Sequence, residues 1–382
     1  MTAGESHGRG LVTIIEGIPS GLSLSSEDID LELKRRQQGY GRGGRMKIEQ
    51  DRAIIMSGVR WGKTIGSPLS LLIENRDWEN WQEGMSADAA QEGSISSVTR
   101  PRPGHADLAG AMKYNHRDVR NILERSSARE TAARVAAGAV AKKFLSRFGI
   151  SVGSYVIRIG SVALPESMEH ANPVSFQRAE ASAVRCPDDS TSLQMIKLID
   201  LARQKGDTLG GIFKVVVSGV PAGLGSHIQW DKRLNARLMM AVSSIQAIKG
   251  VEIGLGFRAA ERFGSEVMDE IAYSADGFSR DTNNAGGIEG GISNGMPIII
   301  RAAMKPIPTL KKPLRSVDLV TREAIEAAYE RSDTCAVPAA SIIAEAMAAL
   351  CTADAMLEKF GGDCIEETER NFSAYKEYLG QF

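Results

Sequence analysis

One short unit recurs 202 residues apart in this chain (Gly17 and Gly219), and it limits the architecture more than any other feature. Leu11 to Glu16 reads as a strand and Gly17-Ile18-Pro19-Ser20-Gly21-Leu22 as a turn. Ser25 or Ser26 then caps a helix that runs to about Gln38. In the second copy Ile212 to Ser218 reads as a strand, Gly219-Val220-Pro221-Ala222-Gly223-Leu224 repeats the turn, and Asp231 opens an amphipathic helix to about Ile248. The repeat predicts two related halves, about residues 4–150 and 205–350. No linker separates two compositions, so both halves are expected within one large α+β domain spanning residues 1–382.

Between the halves, Arg117 to Phe148 reads as the longest helical stretch, with Ala at 128, 132, 133, 136, 137, 139 and 141. Ala-rich helices approach one another closely and suit the centre of a structure. Ile48 to Ser57, Ser70 to Ile73 and Pro297 to Ala302 read as strands. Ser316 to Tyr329 reads as a helix, and so does Pro338 to Leu350, with its proline in the first turn. Asn80 to Thr99 is polar, has no clear period, and reads as a long loop of the kind that often forms lids or binding segments.

The charges nearly cancel, 46 Lys+Arg against 47 Asp+Glu, and this argues against a protein that coats nucleic acid. Locally they do not cancel. Lys34, Arg35, Arg36, Arg42, Arg45 and Lys47 lie in an acid-free stretch that contains Gly39-Tyr40-Gly41-Arg42-Gly43-Gly44. Glycine lets the backbone approach a ligand and arginine offers bidentate donors, so this stretch suits a small phosphorylated or carboxylated molecule. RNA binding would favour a basic total and interleaved aromatics, and Tyr40 is the one aromatic there. Cys186, Cys335, Cys351 and Cys364 show no metal or disulfide spacing and read as reduced thiols. No membrane span and no basic-then-apolar leader is visible, so a cytoplasmic location is expected.

Three motif matches fail on context. Gly4-Glu5-Ser6-His7-Gly8 fits a nucleophile elbow but lacks the strand that must precede one. Gly39 to Gly44 fits a dinucleotide fingerprint but follows a helix. Gly58-Val59-Arg60-Trp61-Gly62-Lys63-Thr64 is one residue short of a phosphate loop. His7 beside Ser6, and His105 within Arg102-Pro103-Gly104-His105-Ala106-Asp107, are the candidate proton carriers. Metal binding is not expected, since His105-x-Asp107 and His116-x-Asp118 are thin ligand sets. Four glycines within Asn283 to Gly291 suggest a flat backbone against a planar or phosphorylated ligand, followed by Lys305-Pro306-Ile307-Pro308-Thr309 and Arg331-Ser332-Asp333.

Taken in order, these segments resemble the chorismate synthase family: GESHG (4–8), RQQGYGRGGRM (36–46), RPGHAD (102–107), LERSSARET (123–131), QAIKGVEIGLG (246–256), NNAGGIEGG (283–291), KPIPT (305–309) and RSDTCAVPAA (331–340). The resemblance implies a β-α-β sandwich with internal pseudo-duplication and Ala-rich central helices between antiparallel sheets, assembled as a homotetramer. It implies conversion of 5-enolpyruvylshikimate 3-phosphate to chorismate and phosphate by 1,4-anti elimination, using reduced FMN without net redox change. NADPH is a candidate source of reducing equivalents, used either by the protein itself or by a separate flavin reductase, and the lack of an apparent reductase domain favours the latter. By similarity, His7 protonates the departing phosphate and His105 maintains the protonation state of the flavin. Asp333 with Ser6 relays the proton taken from the substrate ring. Arg36, Arg42, Arg45, Arg102 and Arg129 hold the substrate, with Arg125 a further candidate. The implied cofactor contacts are Arg36 and Arg42 (NADPH), and Arg125, Ser126, Ser127, Gln246, Ala247, Gly290, Lys305, Pro306, Ile307, Pro308, Thr309 and Arg331 (FMN).

Overall fold

In the computed structural model, which describes all residues except 44–49, 170–171, 276, 313 and 329–331, the first sheet is built by alternation of apolar and polar positions. β2 (Gly10–Ile15) buries Leu11 and Thr13, and β6 (Leu69–Glu74) buries Leu69, Leu71 and Ile73. With β1 (Thr2–Ala3) and β3 (Ile54–Ser57) they form an antiparallel sheet in the order β1-β2-β6-β3. The second antiparallel sheet contains β7 (Ser151–Ile159), β8 (Val162–Ala163), β9 (Gly211–Ser218), β10 (Ile248–Ile253) and β15 (Ile298–Met304), in the order β10-β15-β9-β7-β8. Its central strand β9 is buried continuously from Phe213 to Val217, as a strand covered on both faces must be.

The main helices are α1 (Ser26–Gln37), α2 (Asp107–Tyr114), α3 (Arg120–Ser126), α4 (Thr131–Ser146), α5 (Pro173–Ala181), α6 (Asp189–Gln204), α7 (Leu234–Ser243), α8 (Val337–Phe360) and α9 (Ile365–Gln381), and β11 (Ile271–Ser274) pairs with β12 (Gly277–Arg280) in a separate hairpin. Ser25 caps α1 in a reciprocal capping box with Asp28, and α8 starts with proline in its first turn, both as their sequences lead one to expect. α4 packs on β2, β6 and β7, α8 packs on β7 and β9, and α1 lies against both helices. The α4–α8 crossing is close because the residues there are small. A Cβ on Gly138 would lie 2.3 Å from Ala346 Cβ and 2.5 Å from its Cα. Gly138→Ala is therefore expected to destabilise the fold by about 1–3 kcal/mol through overpacking, read as a lower melting temperature. α8 is long and apolar enough to cross a membrane, but 72% of its apolar window is buried inside the protein.

α8 also carries Glu345, fully buried among cations. Arg35 reaches it at 2.8 Å, Lys142 at 2.5 Å and Arg185 at 3.2 Å, and the Ser154 hydroxyl donates to it at 2.6 Å. Arg35 thus serves this ion cluster, although its basic neighbours in sequence suggest a ligand loop.

The two GΦPxGL turns make the same hydrogen bonds. In the first, Leu22 N donates to Thr64 Oγ1, which donates to Pro19 O, while Gly21 N and Thr64 N donate to Thr64 O and Leu22 O. In the second, Leu224 N donates to Ser293 Oγ, which donates to Pro221 O, while Gly223 N and Ser293 N donate to Ser293 O and Leu224 O. Thr64 and Ser293 lie in matching hairpins, β4 (Val59–Arg60) with β5 (Lys63–Thr64) and β13 (Ile288–Glu289) with β14 (Ile292–Ser293). The failed phosphate-loop match at Gly58 is accordingly a hairpin turn. The glycines at 286 and 287 answer to crowding by backbone: a Cβ would lie 2.3 Å from Gly254 N and 2.6 Å from Pro297 O, respectively. This replaces the reading of that segment as a flat ligand platform.

Four segments depart from the structure their sequences lead one to expect. Arg117 to Phe148 is broken: α3 ends at Ser126, Ser127 is extended, and a 3-10 turn over Ala128–Glu130 leads into α4. The break forms because Ser127 Oγ accepts from Arg129 N, and its side chain thereby offers the backbone an alternative to the helix. Ser316 to Tyr329 is an antiparallel hairpin, β16 (Arg315–Val317) with β17 (Ala324–Glu326), and Tyr329 lies outside the described residues. Asp318 turns the chain there by accepting from Val320 N and Thr321 N, and β-branched Val317 and Ile325 suit strands. The helix expected from Asp231 to Ile248 begins only at Leu234 and ends at Ser243, and Ile248 starts β10. Asn80 to Thr99 is mostly irregular, with a short 3-10 turn at Ala89–Gln91, and the strand expected from Ile48 covers only Ile54–Ser57, residues 48–49 being outside the described part.

Candidate active site

The helix break at Ser126–Arg129, the N-terminal turns of α8, the loop after β1, the segment after β15 and the loop before α2 meet around a cavity of about 740 Å³. One wall is cationic. Arg36 is buried, with its Nε donating to Thr131 Oγ1 at 3.0 Å, an Nη to Ala128 O at 2.9 Å, and another 3.4 Å from Asp51. Arg129 meets the same Asp51 at 2.6 Å and donates to Asn75 Oδ1 at 2.8 Å. Arg42 lies 3.3 Å from Asp333, whose other oxygen accepts from Gly43 N at 2.6 Å. Burial pushes the Arg36 guanidinium down to about 10; Arg129 and Arg42 add to this, while Asp51 and Asp333 oppose it. Such a cluster of cations is relieved by an anion.

Two imidazoles stand at this cavity, each backed by a carboxylate. His105 Nδ1 lies 2.5 Å from Asp107 Oδ1, and Arg102 Nε donates to Asp107 Oδ2 at 2.8 Å. Burial alone would raise the Asp107 carboxyl, yet hydrogen bonds from His105 and Arg102 hold it well below the usual carboxylate range. Asp107 is thus a hydrogen-bond anchor for the histidine. Among the described residues no group of three His, Cys, Asp or Glu is placed to hold a metal ion. His7 Nδ1 lies 2.8 Å from Glu124 Oε1, and its ring is 4.3 Å from that of Trp81. Ser127 Oγ donates to Ser6 Oγ at 3.1 Å.

The lining is also apolar in part, through residues such as Leu123, Ile245, Met304, Ile307, Pro308 and Ile343. Gln246 bridges the two kinds of surface: its Nε2 donates to Glu130 Oε1 at 2.8 Å, while its buried Oε1 has no protein partner among the described residues. Ala247 holds φ +68, a left-handed conformation rare for alanine, and its carbonyl accepts from Lys305 N at 2.9 Å. Burial, with Lys249 adding to it, lowers the Lys305 ammonium, whose Nζ contacts Gly104 O beside His105.

Of the residues singled out in the sequence, Ser6, His7, Arg36, Arg42, Arg102, His105, Ser126, Ser127, Arg129, Gln246, Ala247, Lys305, Ile307, Pro308, Thr309 and Asp333 all line this one cavity. Pro306 falls between lining residues without lining it. Arg125 turns away and donates to Thr2 O, Thr2 Oγ1 and Gly4 O, so it ties down the first strand instead of facing the cavity. Gly290 sits at the tip of the β13–β14 hairpin and is not brought to the wall. Arg45 and Arg331 lie outside the described residues. Sequence reasoning missed Asp51, Asn75, Asp77, Trp81 and Glu124. Glu124 had a local signal, standing inside the LERSSARET segment, and Trp81 a weaker one, lying in the long loop from Asn80.

A large cavity with an arginine wall, two carboxylate-backed histidines and an apolar face defines an enzyme site for a small anionic molecule. The chorismate synthase family profile matches residues 1–357. The chorismate synthase of Aquifex aeolicus is 58% identical over 390 aligned residues, covering 100% of this chain and 98% of that one. That of Geobacter sulfurreducens is 60% identical, covering 100% and 99%. A solved structure titled "Crystal Structure of Chorismate Synthase" superposes with a TM-score of 0.82 at 48% identity, covering 100% of this chain and 98% of the other. The chain belongs to the chorismate synthase family, lyases of the shikimate pathway.

Proposed function

We propose that this cavity converts 5-enolpyruvylshikimate 3-phosphate to chorismate and phosphate by a 1,4-anti elimination that uses reduced FMN and causes no net redox change. The observation that carries the reading is the convergence of Arg36, Arg42, Arg102 and Arg129 with His7 and His105 on one cavity with an apolar face. The substrate bears a phosphate and two carboxylates, and the arginine wall matches that charge. The N-terminal turns of the 24-residue helix α8, through Ala336, Ala339 and Ala340, add a positive dipole end.

The residues present fit FMN as well. The apolar part of the lining offers a surface for a planar ring, and the orphaned Gln246 Oε1 is an acceptor awaiting a donor such as a ring N–H or a ribityl hydroxyl. Ser126, Ser127, Ala247, Lys305, Ile307, Pro308 and Thr309 would complete its contacts. When bound, reduced FMN supplies electron density to the substrate ring as phosphate leaves and takes it back afterwards. In the balanced reaction the C–O bond to phosphate and the C6–H bond break, and a second ring double bond forms. His7 gives a proton to the departing phosphate, and His105, fixed by Asp107, maintains protonation beside the flavin. Asp333 and Ser6 carry away the proton from C6. NADPH, acting through a separate flavin reductase, keeps the flavin reduced and takes no part in the elimination.

The matched hydrogen bonds of the two GΦPxGL turns, and the matching orders β2-β6-β3 and β9-β15-β10, support an internal duplication. The contacts of α4 with strands of both sheets, and of α8 with α4 and the second sheet, support the sandwich. Exposed Phe257, Phe263, Ile271, Tyr273 and Phe278 suit burial in a cytoplasmic homotetramer. The reading is tested by incubating protein, pre-reduced FMN and substrate without oxygen. Equal amounts of phosphate and chorismate are expected, and phosphate without chorismate would refute it.

A further inference from the structure

We infer that Glu124 is the positioning residue for His7, holding its Nδ1–H so that Nε2 is the ring atom left to exchange protons in the cavity. Glu124 lies on α3 with 2% of its surface exposed and grips the His7 segment at three points. Oε1 accepts from His7 Nδ1 at 2.8 Å and Oε2 accepts from His7 N at 2.7 Å. Its own carbonyl accepts from Ser6 N at 3.1 Å. An ionised carboxylate has only acceptors, so the ring proton on that side must sit on Nδ1. Burial works against ionisation of Glu124, but the hydrogen bonds and charge of His7, with Arg120, hold its carboxyl below the ordinary value.

The remaining contacts fix the ring plane. Arg120, one helical turn before Glu124, reaches Oε1 at 3.4 Å, and its guanidinium lies 4.8 Å from the centre of the Trp81 ring. That indole covers His7 at a tilt of 32°. Asn75 Nδ2 donates to Glu5 O at 3.1 Å and to Gly8 O at 2.7 Å, which closes the loop on both sides of the histidine. Little freedom remains for His7, and the same carboxylate that orients it stabilises the imidazolium formed when it takes up a proton. The effect on rate rests on His7 acting as the proposed proton donor; the positioning does not.

The test uses the full-length protein with its histidines labelled with nitrogen-15, loaded with reduced FMN for the assays. Glutamine at 124 replaces one of the two carboxylate oxygens that separately serve the ring and the backbone N–H by an NH2 donor, so that one of those two acceptors is lost. Wild type should show neutral His7 as a single Nδ1-protonated tautomer, and Glu124→Gln a mixture. In oxygen-free assays Glu124→Gln should lose about 10- to 100-fold in kcat, with KM within about threefold, a loss at or below that of a lost acid–base group. Glu124→Asp, which keeps the charge, should recover part of it and serves if the glutamine variant does not fold. The double variant His7→Ala/Glu124→Gln should be no slower than His7→Ala alone. An unchanged tautomer pattern, or additive losses in the double variant, would overturn the positioning role. A tautomer change in a protein whose wild type forms no chorismate would uphold the positioning and refute the elimination.

Discussion

Replacing His7 with alanine is expected to lower kcat for chorismate formation by about 10² to 10⁴, the range for loss of a general acid. The size follows from what surrounds the ring. His7 lines the arginine-rich cavity, yet Glu124, Trp81 and the Asn75-held loop already fix it in place. The truncation therefore removes a group in working position and leaves its scaffold standing. KM should change far less than kcat, because the proposed hold on the substrate's anionic groups lies with Arg36, Arg42, Arg102 and Arg129 of the cavity wall and not with His7. The measurement is initial rate against substrate concentration with pre-reduced FMN in the absence of oxygen, with circular dichroism to confirm an intact fold. A variant that kept near wild-type turnover would remove His7 from the chemistry. His105→Ala, tested alongside, separates the two imidazoles: its loss should be eased by conditions that favour the needed protonation state of the flavin, and that of His7→Ala should not.

The largest expected effect on stability lies away from the site. Glu345→Gln should cost on the order of 3–5 kcal/mol, the range for removing one partner of a buried ion pair. Glutamine nearly preserves the shape but leaves Arg35, Lys142 and Arg185 sharing a buried space without the carboxylate that neutralises them. Burial alone would raise the Glu345 carboxyl, yet Lys142, Arg35 and Arg185 hold it far below its ordinary value of 4.5. A depressed native value gives stability that is fully present above 4.5 and lost as pH falls from there through the native value. Urea unfolding should therefore show a large gap between wild type and Glu345→Gln at pH 7, and the gap should narrow as pH falls below about 4.5. A gap that stayed constant into acid would mean that the charge is not what the cluster relies on.

Local chemistry made much of this molecule legible in its sequence. The Ser25 cap, the proline in the first turn of α8 and the paired GΦPxGL turns are each determined by a few neighbouring residues. The segments resembling chorismate synthase located most of the cavity wall. What was hidden depends on long-range partners. Arg35 and Arg36 are adjacent on α1, but the first turns to Glu345 and the second to Asp51, a division that only packing decides. The Ala-rich run around Ala128 reads as one helix because helix propensity is additive along the chain. The side chain of Ser127 breaks it, and the break is what exposes Ser126 to Arg129 to the cavity. Ser316 to Tyr329 misled in the opposite way: Asp318 satisfies the backbone locally and diverts the chain into a hairpin. Asp51 joins Arg129 across 78 positions, and no spacing rule could have found it.

An elimination that requires flavin and returns it unchanged can be told from a redox reaction by counting electrons. Protein, substrate and a small, known amount of pre-reduced FMN are sealed without oxygen or NADPH. Chorismate is then counted against the flavin that has become oxidised. Many chorismates per flavin are expected, with the flavin still reduced when the substrate is exhausted. Turnover that stops at one product per flavin, with the flavin oxidised, would make this cavity the site of a redox reaction and not of an elimination.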